Sequence, residues 1–597
     1  MFRHRIPETS ISRSARAVSL YLAVLVLLIA GLGSVDAFAS TTYYVSNEGD
    51  DNHPGTSSAD PWQSIARVNA ATFEPGDAVL FRRGDIWHES LVISWSGTET
   101  APITFSSYGP GPKPRISGSV RLSDWNHVSG PIWVSVEETE DPSRGAPHDG
   151  SQSGSGGYPG GAWFEAPDGT VTWGRQEAYI DHAGDFSELT EHLDWGWFDH
   201  HIYVYATTDP SSAFGALHAS QRQYAVGMPN NDPQEHIVIE DLELVFTQSK
   251  GFFAGYPARE AHDLVIRDCH VAYIGIKGAA SAYGLAVWHS DMLVQGNEIH
   301  DCGRRSVSYN VYATRNVLFE NVTFDGNHFH HGFHTTGLDI SNSGTDQFHD
   351  FVVSNNLFEG DPTVDLGAAG AFNSNHIWTH TNPGGALADF AFFNNIFTFH
   401  HGKGLTINGI TNAFVAFNTF SGVNPTLTNY QAQLYFSNTV TNATVRNNIF
   451  VNDVDPSFNQ YFLCVKADVE HIGEIDMDHN LFFTVSPNAF FADVVGIAGS
   501  YQMHEWSEYL SDTGWDGSSP PPQQPGFVNG PAGDLHLAPG SAAIGAGESI
   551  PWITTDLDGV PRADPPSLGA YAAGATGLLF ADGFERGDLR HWSIQSL

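Results

Sequence analysis

The sequence is poor in three things. Its 3 cysteines, Cys269, Cys302 and Cys464, are too few and too scattered among 597 residues to staple a fold, so stability must come from burial. Bases are scarce: 26 Lys and Arg stand against 67 Asp and Glu, for a net charge of −41, and only five of those bases are lysines. A surface of that sign repels phosphate backbones and anionic bilayers, which excludes nucleic acid as the main partner. Charged residues of both signs make up only 16% of the chain, which argues against coiled coils and long surface helices, and Gly 61 with Pro 32 shows no G-X-Y period. What remains is a β-rich, loop-rich protein, whose 41% hydrophobic content supplies a core.

Long apolar runs are also missing, with one exception at the start. Arg3, Arg5, Arg13 and Arg16 precede the apolar stretch Ala17–Gly33, and Ala37-Phe38-Ala39 follows it. This reads as a secretory signal peptide over 1–39, whose removal leaves no membrane span and a chain more acidic still. The expected location is secreted, extracellular or at the cell surface.

What is present is a repeat. Segments starting at Asp291, Asp350, Asp389, Asn412, Asn442 and Glu474 share one frame, which places Asn297, Asn356, Asn395, Asn418, Asn448 and Asn480 six residues on, each followed by x-Ile/Phe. Variants start at His236, Asp263 and Asn316, with Leu242, Cys269 and Val322 in the Asn column. Starts are 23 to 39 residues apart, and within each the alternation has period 2, so the repeats contribute strands of a stacked parallel coil. In such a stack equal amides lie one above another and can hydrogen-bond as a ladder.

These coils, with Thr42-Tyr-Tyr-Val-Ser46, Pro75-Gly76-Asp77, Arg83-Gly84-Asp85 and the late segments Asp534–Ile544 and Thr555–Gly559, resemble the right-handed parallel β-helix proteins of the pectate-lyase-like superfamily. The resemblance implies an all-β right-handed parallel β-helix solenoid with an N-terminal cap and a C-terminal closing segment. The expected organisation is cap and first coils over 40–125, an irregular Gly- and Trp-rich insertion over 126–235, regular coils over 236–490, the closing segment over 491–576, and a tail over 577–597 that resembles a sorting element.

The candidate site follows from charge and offset. Arg259 to Arg315 holds six bases and six acids in an otherwise acidic chain, together with Tyr283, Trp288 and Tyr309. Aromatic faces beside cations suit a groove for a polysaccharide with acidic groups. Counted from their coil starts, Lys277, Arg305 and His330 share offset 14 on successive coils, with Arg304 and His331 beside them and Lys403 at the same offset farther on. Equal offsets predict a column with steps of about 5 Å, and a column of cations without a carboxylate calls for an anionic ligand. β-Elimination from a uronate needs a base of lowered pKa and a cation to stabilise the enolate. Carried over from the lyases this chain resembles, Lys277 is the expected base and Arg305 the neutraliser, with His330 the third catalytic candidate; Arg304, His331, Tyr283, Trp288 and Tyr309 are expected to bind substrate.

The family resemblance implies a Lys or Arg base, often with Ca²⁺ bridging the sugar carboxylate. A protein-built metal site is not expected, because His328 and His330 lack His-Glu-x-x-His spacing. The chain is expected to act as a monomer. Two other readings stay open: a glycoside hydrolase, for which Asp339, Asp361 and Asp365 could converge, and a non-catalytic surface or matrix glycan-binding protein.

Overall fold

The computed structural model describes residues 40–142 and 160–573, except 175, 179, 181–183, 230–232, 256–259, 277–281, 312–316, 332–335, 343, 361–374, 383, 401, 424–430, 453–461, 469–471, 487 and 497–498. The leader and the tail expected from the sequence lie outside the described residues.

Most coils begin with a residue in the left-handed backbone region. His236, Asp263, Asp291, Asp350, Asp389, Asn412 and Asn442 all have φ between 50° and 62°. Asn and Asp accept this conformation better than other side chains, which is why the repeats start with them. A second left-handed residue, at Asp241, Asp268, Gly296, Gly326, Asn355, Asn394, Phe417, Asn447 and His479, turns the chain into the next strand.

Between these bends the strands stack into three long sheets. The first has 12 strands, from Thr42–Val45 to Ile475–Asp478; the second has 11, from Ile86–Trp87 to Leu481–Thr484; the third has 12, from Leu91–Val92 to Gly499–Gln502. Pairing within them is parallel throughout, until Gly499–Gln502 closes the third sheet in the antiparallel sense. Parallel crossovers of this kind are right-handed, so the chain forms the right-handed parallel β-helix.

Inward side chains form columns. Val271, Ile299, Phe329, Phe358, Phe397, Phe420, Phe450 and Phe482 of the second sheet are sealed from solvent, and the last five rings stack 4.5 to 5.2 Å apart. That spacing matches the distance between neighbouring strands.

The asparagine ladder is longer than the sequence frame implies. Nδ2 of Asn297 donates to Oδ1 of Asn327 at 2.9 Å, and the series continues through Asn356, Asn395, Asn418 and Asn448 to Asn480 at 2.9 to 3.0 Å. Asn327 belongs in the column, and the frame starting at Asn316 is corrected to Asn321, whose φ is 59° and whose neighbour Val322 pairs with Met292. The strand Leu318–Asp325 has 8 residues where its predecessor has 4, so its extra start misleads the alignment. Cys269 occupies the column's N-terminal end, donating its N–H to Asn297 at 2.9 Å, and burial pushes its thiol up to about 12. All three cysteines are free and buried.

Two covers lie on the coil. Strands from Ser119–Leu122 to Ala216–Ser220 form small, mainly antiparallel sheets whose Trp163 and Trp173 pack on Phe246, Ala272 and Tyr273 of the second sheet. This insertion therefore begins before 126, and the coil resumes at Tyr224–Gly227, before 236. After the helix Trp506–Thr513 closes the C-terminal end with buried Tyr509, the chain returns along the coil, and Leu535, Ala570 and Tyr571 pack against Ile396.

Candidate functional site

The third sheet carries its polar residues on two outward columns. Lys250 pairs with Tyr283, Tyr283 with Arg305, Arg305 with Thr336, Thr336 with Asn375, and Asn375 with Lys403. The neighbouring column runs Ser308, Asp339, Trp378, Thr406, Tyr435, Lys466 and Asp493. Lys250, Arg305, Lys403 and Lys466 thus share one face with Tyr283, Trp378 and Tyr435.

Ring contacts tie the two kinds together. The Tyr283 ring lies 5.8 Å from Lys250 Nζ and 5.6 Å from the Arg305 guanidinium carbon, while Tyr435 is approached by Lys403 Nζ at 4.3 Å and Lys466 Nζ at 5.4 Å. Burial holds Lys250 down to about 8, and burial with the charge of Lys466 also lowers Lys403. Arg305 is ion-paired to the sealed carboxylate of Asp339, and Lys466 lies 3.1 Å from Asp468.

The expected residues separate into three groups. Arg305 stands in the predicted column together with Lys403, but it is buried; Tyr283, expected to flank the column, pairs with Arg305 inside it, and Lys277 lies outside the described residues. Arg304 is half-buried at the corner before Arg305, its N–H bonded to Ala282. His330 is not in the column: it belongs to the second sheet and pairs with His300, because its coil start is Asn321 rather than Asn316. Exposed His331 follows it, 2.6 Å away between Nδ1 atoms.

Trp288 and Tyr309 are corrected from groove to core. Tyr309 has the inward parity of Val307, is 0% exposed, packs edge-on against Phe319, Phe348 and Phe351, and donates its hydroxyl to His289 O. Trp288 is 5% exposed and packs on Phe253. The argument from unmatched cations changes too, since Arg305 has Asp339 and His330 has Glu298 at 3.1 Å. Of the carboxylates considered for hydrolysis, Asp339 serves Arg305, and Asp361 and Asp365 lie outside the described residues.

The sequence does carry a signal for Lys250. It stands at offset 14 from His236, as Lys277 does from Asp263, but the longer connection after Ile274 places Tyr283 above it.

Around the corner, the outer face of the second sheet presents Arg115, Glu243, His270 and Glu298 in one column and His300 and His330 in the next. Arg115 Nε donates to Glu243 at 2.7 Å, and Glu165 of the insertion lies 3.5 Å from Arg115 and 2.8 Å from His218. Despite its burial Glu243 is held down to about 2 by Arg115 and His270. Burial and the surrounding imidazoles keep His330 well below the usual histidine range. A cavity of about 530 Å³ lies on another edge, lined by Ser106, Lys113, Asp241, Arg267 and Asp268; it has no aromatic wall, and Asp241 is already matched by Arg83 and Lys113.

Calcium prefers six to eight oxygen ligands. The set of groups gathered closely enough to hold an ion among the described residues is Glu298, His300 and His330, whose imidazole nitrogens do not suit it.

No family model matches the chain. A stretch of 95 residues is 41% identical to the lacto-N-biosidase of Bifidobacterium longum subsp. longum, covering 15% of this chain and 6% of that protein's length. Among solved structures, pectate lyase Pel9A is 14% identical over 89% of this chain and 96% of its own, with a TM-score of 0.47. The GH136 lacto-N-biosidase from Eubacterium ramulus is 13% identical over 76% of this chain and 65% of its own, with a TM-score of 0.35.

Proposed function

We propose that the chain is an exported carbohydrate-active enzyme that cleaves an acidic, uronate-containing polysaccharide by β-elimination on the outer face of the third sheet. The supporting observation is the concentration of Lys250, Arg305, Lys403 and Lys466 among Tyr283, Trp378 and Tyr435 in a chain with a net charge of −41. Lys403 and Lys466, the partly exposed cations of this face, attract a polyanion that the acidic surface elsewhere repels, and aromatic faces stack on sugar rings.

The chemistry assigns roles in order. Lys250, held down to about 8, takes the proton α to the sugar carboxylate. The released electron pair forms the ring double bond as the glycosidic C–O bond breaks. Arg305 stabilises the charge that builds on the carboxylate, and the Tyr283 hydroxyl returns a proton to the leaving oxygen. Lys277, the base expected from the sequence, lies outside the described residues.

Incubation with a panel of uronans and neutral glycans, with and without Ca²⁺, tests this. New ultraviolet absorbance from an unsaturated product is expected on a uronan. Reducing ends without that absorbance would establish hydrolysis instead, the second reading, which the stretch shared with a lacto-N-biosidase favours. Binding without cleavage would overturn both.

A further inference from the structure

The outer face of the second sheet gathers imidazoles around one carboxylate. Glu298, His300 and His330 each place a ligand atom within 4.8 Å of the others, and all three residues are buried. His330 Nε2 is 3.1 Å from Glu298 Oε1, near the edge length of about 3.3 Å of a tetrahedron built on metal–ligand bonds of roughly 2.0–2.1 Å.

The surroundings orient these groups. His300 Nδ1 is 2.7 Å from Asp301 Oδ2, and Asp301 is itself held by the Trp173 indole N–H at 3.0 Å. A carboxylate against Nδ1 fixes the proton there and turns the Nε2 lone pair the other way. His270 is set alike, its Nδ1 lying 3.2 Å from Glu243. The Nε2 atoms of His270 and His300 then face each other at 2.8 Å. One hydrogen shared across that gap joins these two rings, and the stack continues, His270 to His300 at 4.9 Å and His300 to His330 at 4.4 Å.

We propose that Glu298, His300 and His330 bind a divalent first-row transition ion of the zinc type, with Asp301 as a positioning residue that orients His300. Two imidazole nitrogens with one carboxylate oxygen favour such an ion over calcium or magnesium. The site rests on the second sheet alone and does not depend on how the third sheet is read.

The test uses the full chain stripped with dipicolinate, then titrated with Co²⁺ while visible absorption is followed, with Zn²⁺ as competitor and metal content measured by mass spectrometry. About one equivalent per chain, with ligand-field bands that Zn²⁺ abolishes, is expected. Glu298→Gln and His330→Gln should each weaken Co²⁺ binding by at least about 10-fold, and Asp301→Asn by about 10- to 100-fold, with circular dichroism unchanged. If His330→Gln fails to fold, Glu298→Gln decides, since it keeps the side chain's size. Less than about a tenth of an equivalent in the parent chain, or an unchanged titration in Glu298→Gln, overturns the site.

Discussion

The second and third sheets are built by the same coils, yet their outer faces differ in kind. On the second, basic side chains meet carboxylates at short range, the Arg115 guanidinium with Glu243 and the His300 imidazole with Asp301, beneath an insertion that supplies Glu165, His218 and Trp173. On the third, Lys250 and Lys403 stand on rings of tyrosine, and among the described residues no carboxylate ion-pairs with Lys403. Asp301 and Arg305 are four residues apart, but a corner at Gly303 divides them between these surfaces. The inward columns fix the coil, which leaves the outward positions of each sheet open to a different chemistry.

The contrast can be broken most forcefully at Lys250. Lys250→Met should lower turnover by about 10²- to 10⁴-fold with the melting temperature nearly unchanged. In the parent chain the proposed activity should rise with pH through about 8 and then level off, as Lys250 becomes neutral. A pH profile indifferent to Lys250→Met would remove it from the reaction.

Next comes the charge pair the third sheet does bury. Arg305→Ala leaves Asp339 sealed without its cation and should cost about 3–5 kcal/mol in denaturant unfolding. Arg305→Met combined with Asp339→Leu should recover most of that loss, because no charge then remains uncompensated.

On the second sheet acid is the probe. Glu243 is depressed to about 2 in the fold and titrates near the ordinary glutamate value when unfolded, so its contribution is complete above about pH 4.5 and is lost as pH falls toward 2. The contribution is about 3 kcal/mol, and Glu243→Gln should flatten stability against pH across that window while leaving turnover intact. The smallest effect belongs to Lys403→Met, which should weaken uronan binding by about 2- to 5-fold at low salt and hardly at all at high salt.

How much of this was legible in the sequence depended on whether a position was repeated. Asn297, Asn356, Asn395, Asn418, Asn448 and Asn480 recur in phase, and the structure stacks all six, because a ladder position constrains residue type on every coil. Asn327 escaped because the strand before it is extended and Asn316 offered a false start. Arg305 and Lys403 were placed in one column correctly, whereas the offset for His330 carried the error of that start forward across a sheet corner. Trp288 and Tyr309 looked like groove aromatics because inward and outward parity cannot be assigned until a strand's first paired residue is known. The cluster at Glu298 and His300 was invisible, because its partners come from three coils and the insertion.

The asparagine column also has an electrical direction. Every Nδ2 in it donates toward the C-terminal end, from Asn297 to Asn480, so the amide dipoles add head to tail and their positive end points at the last coil. There Asn480 donates to Asp516, whose carboxylate is anchored by Ser519 and Tyr509. An acid at the positive terminus does for this row what it does at the first turn of a helix. Excising one whole coil would shorten the row and leave its polarity and its terminus intact. Replacing Asp516 with Lys would set like against like at a sealed end, and the unzipping that follows should travel from the last coil inward.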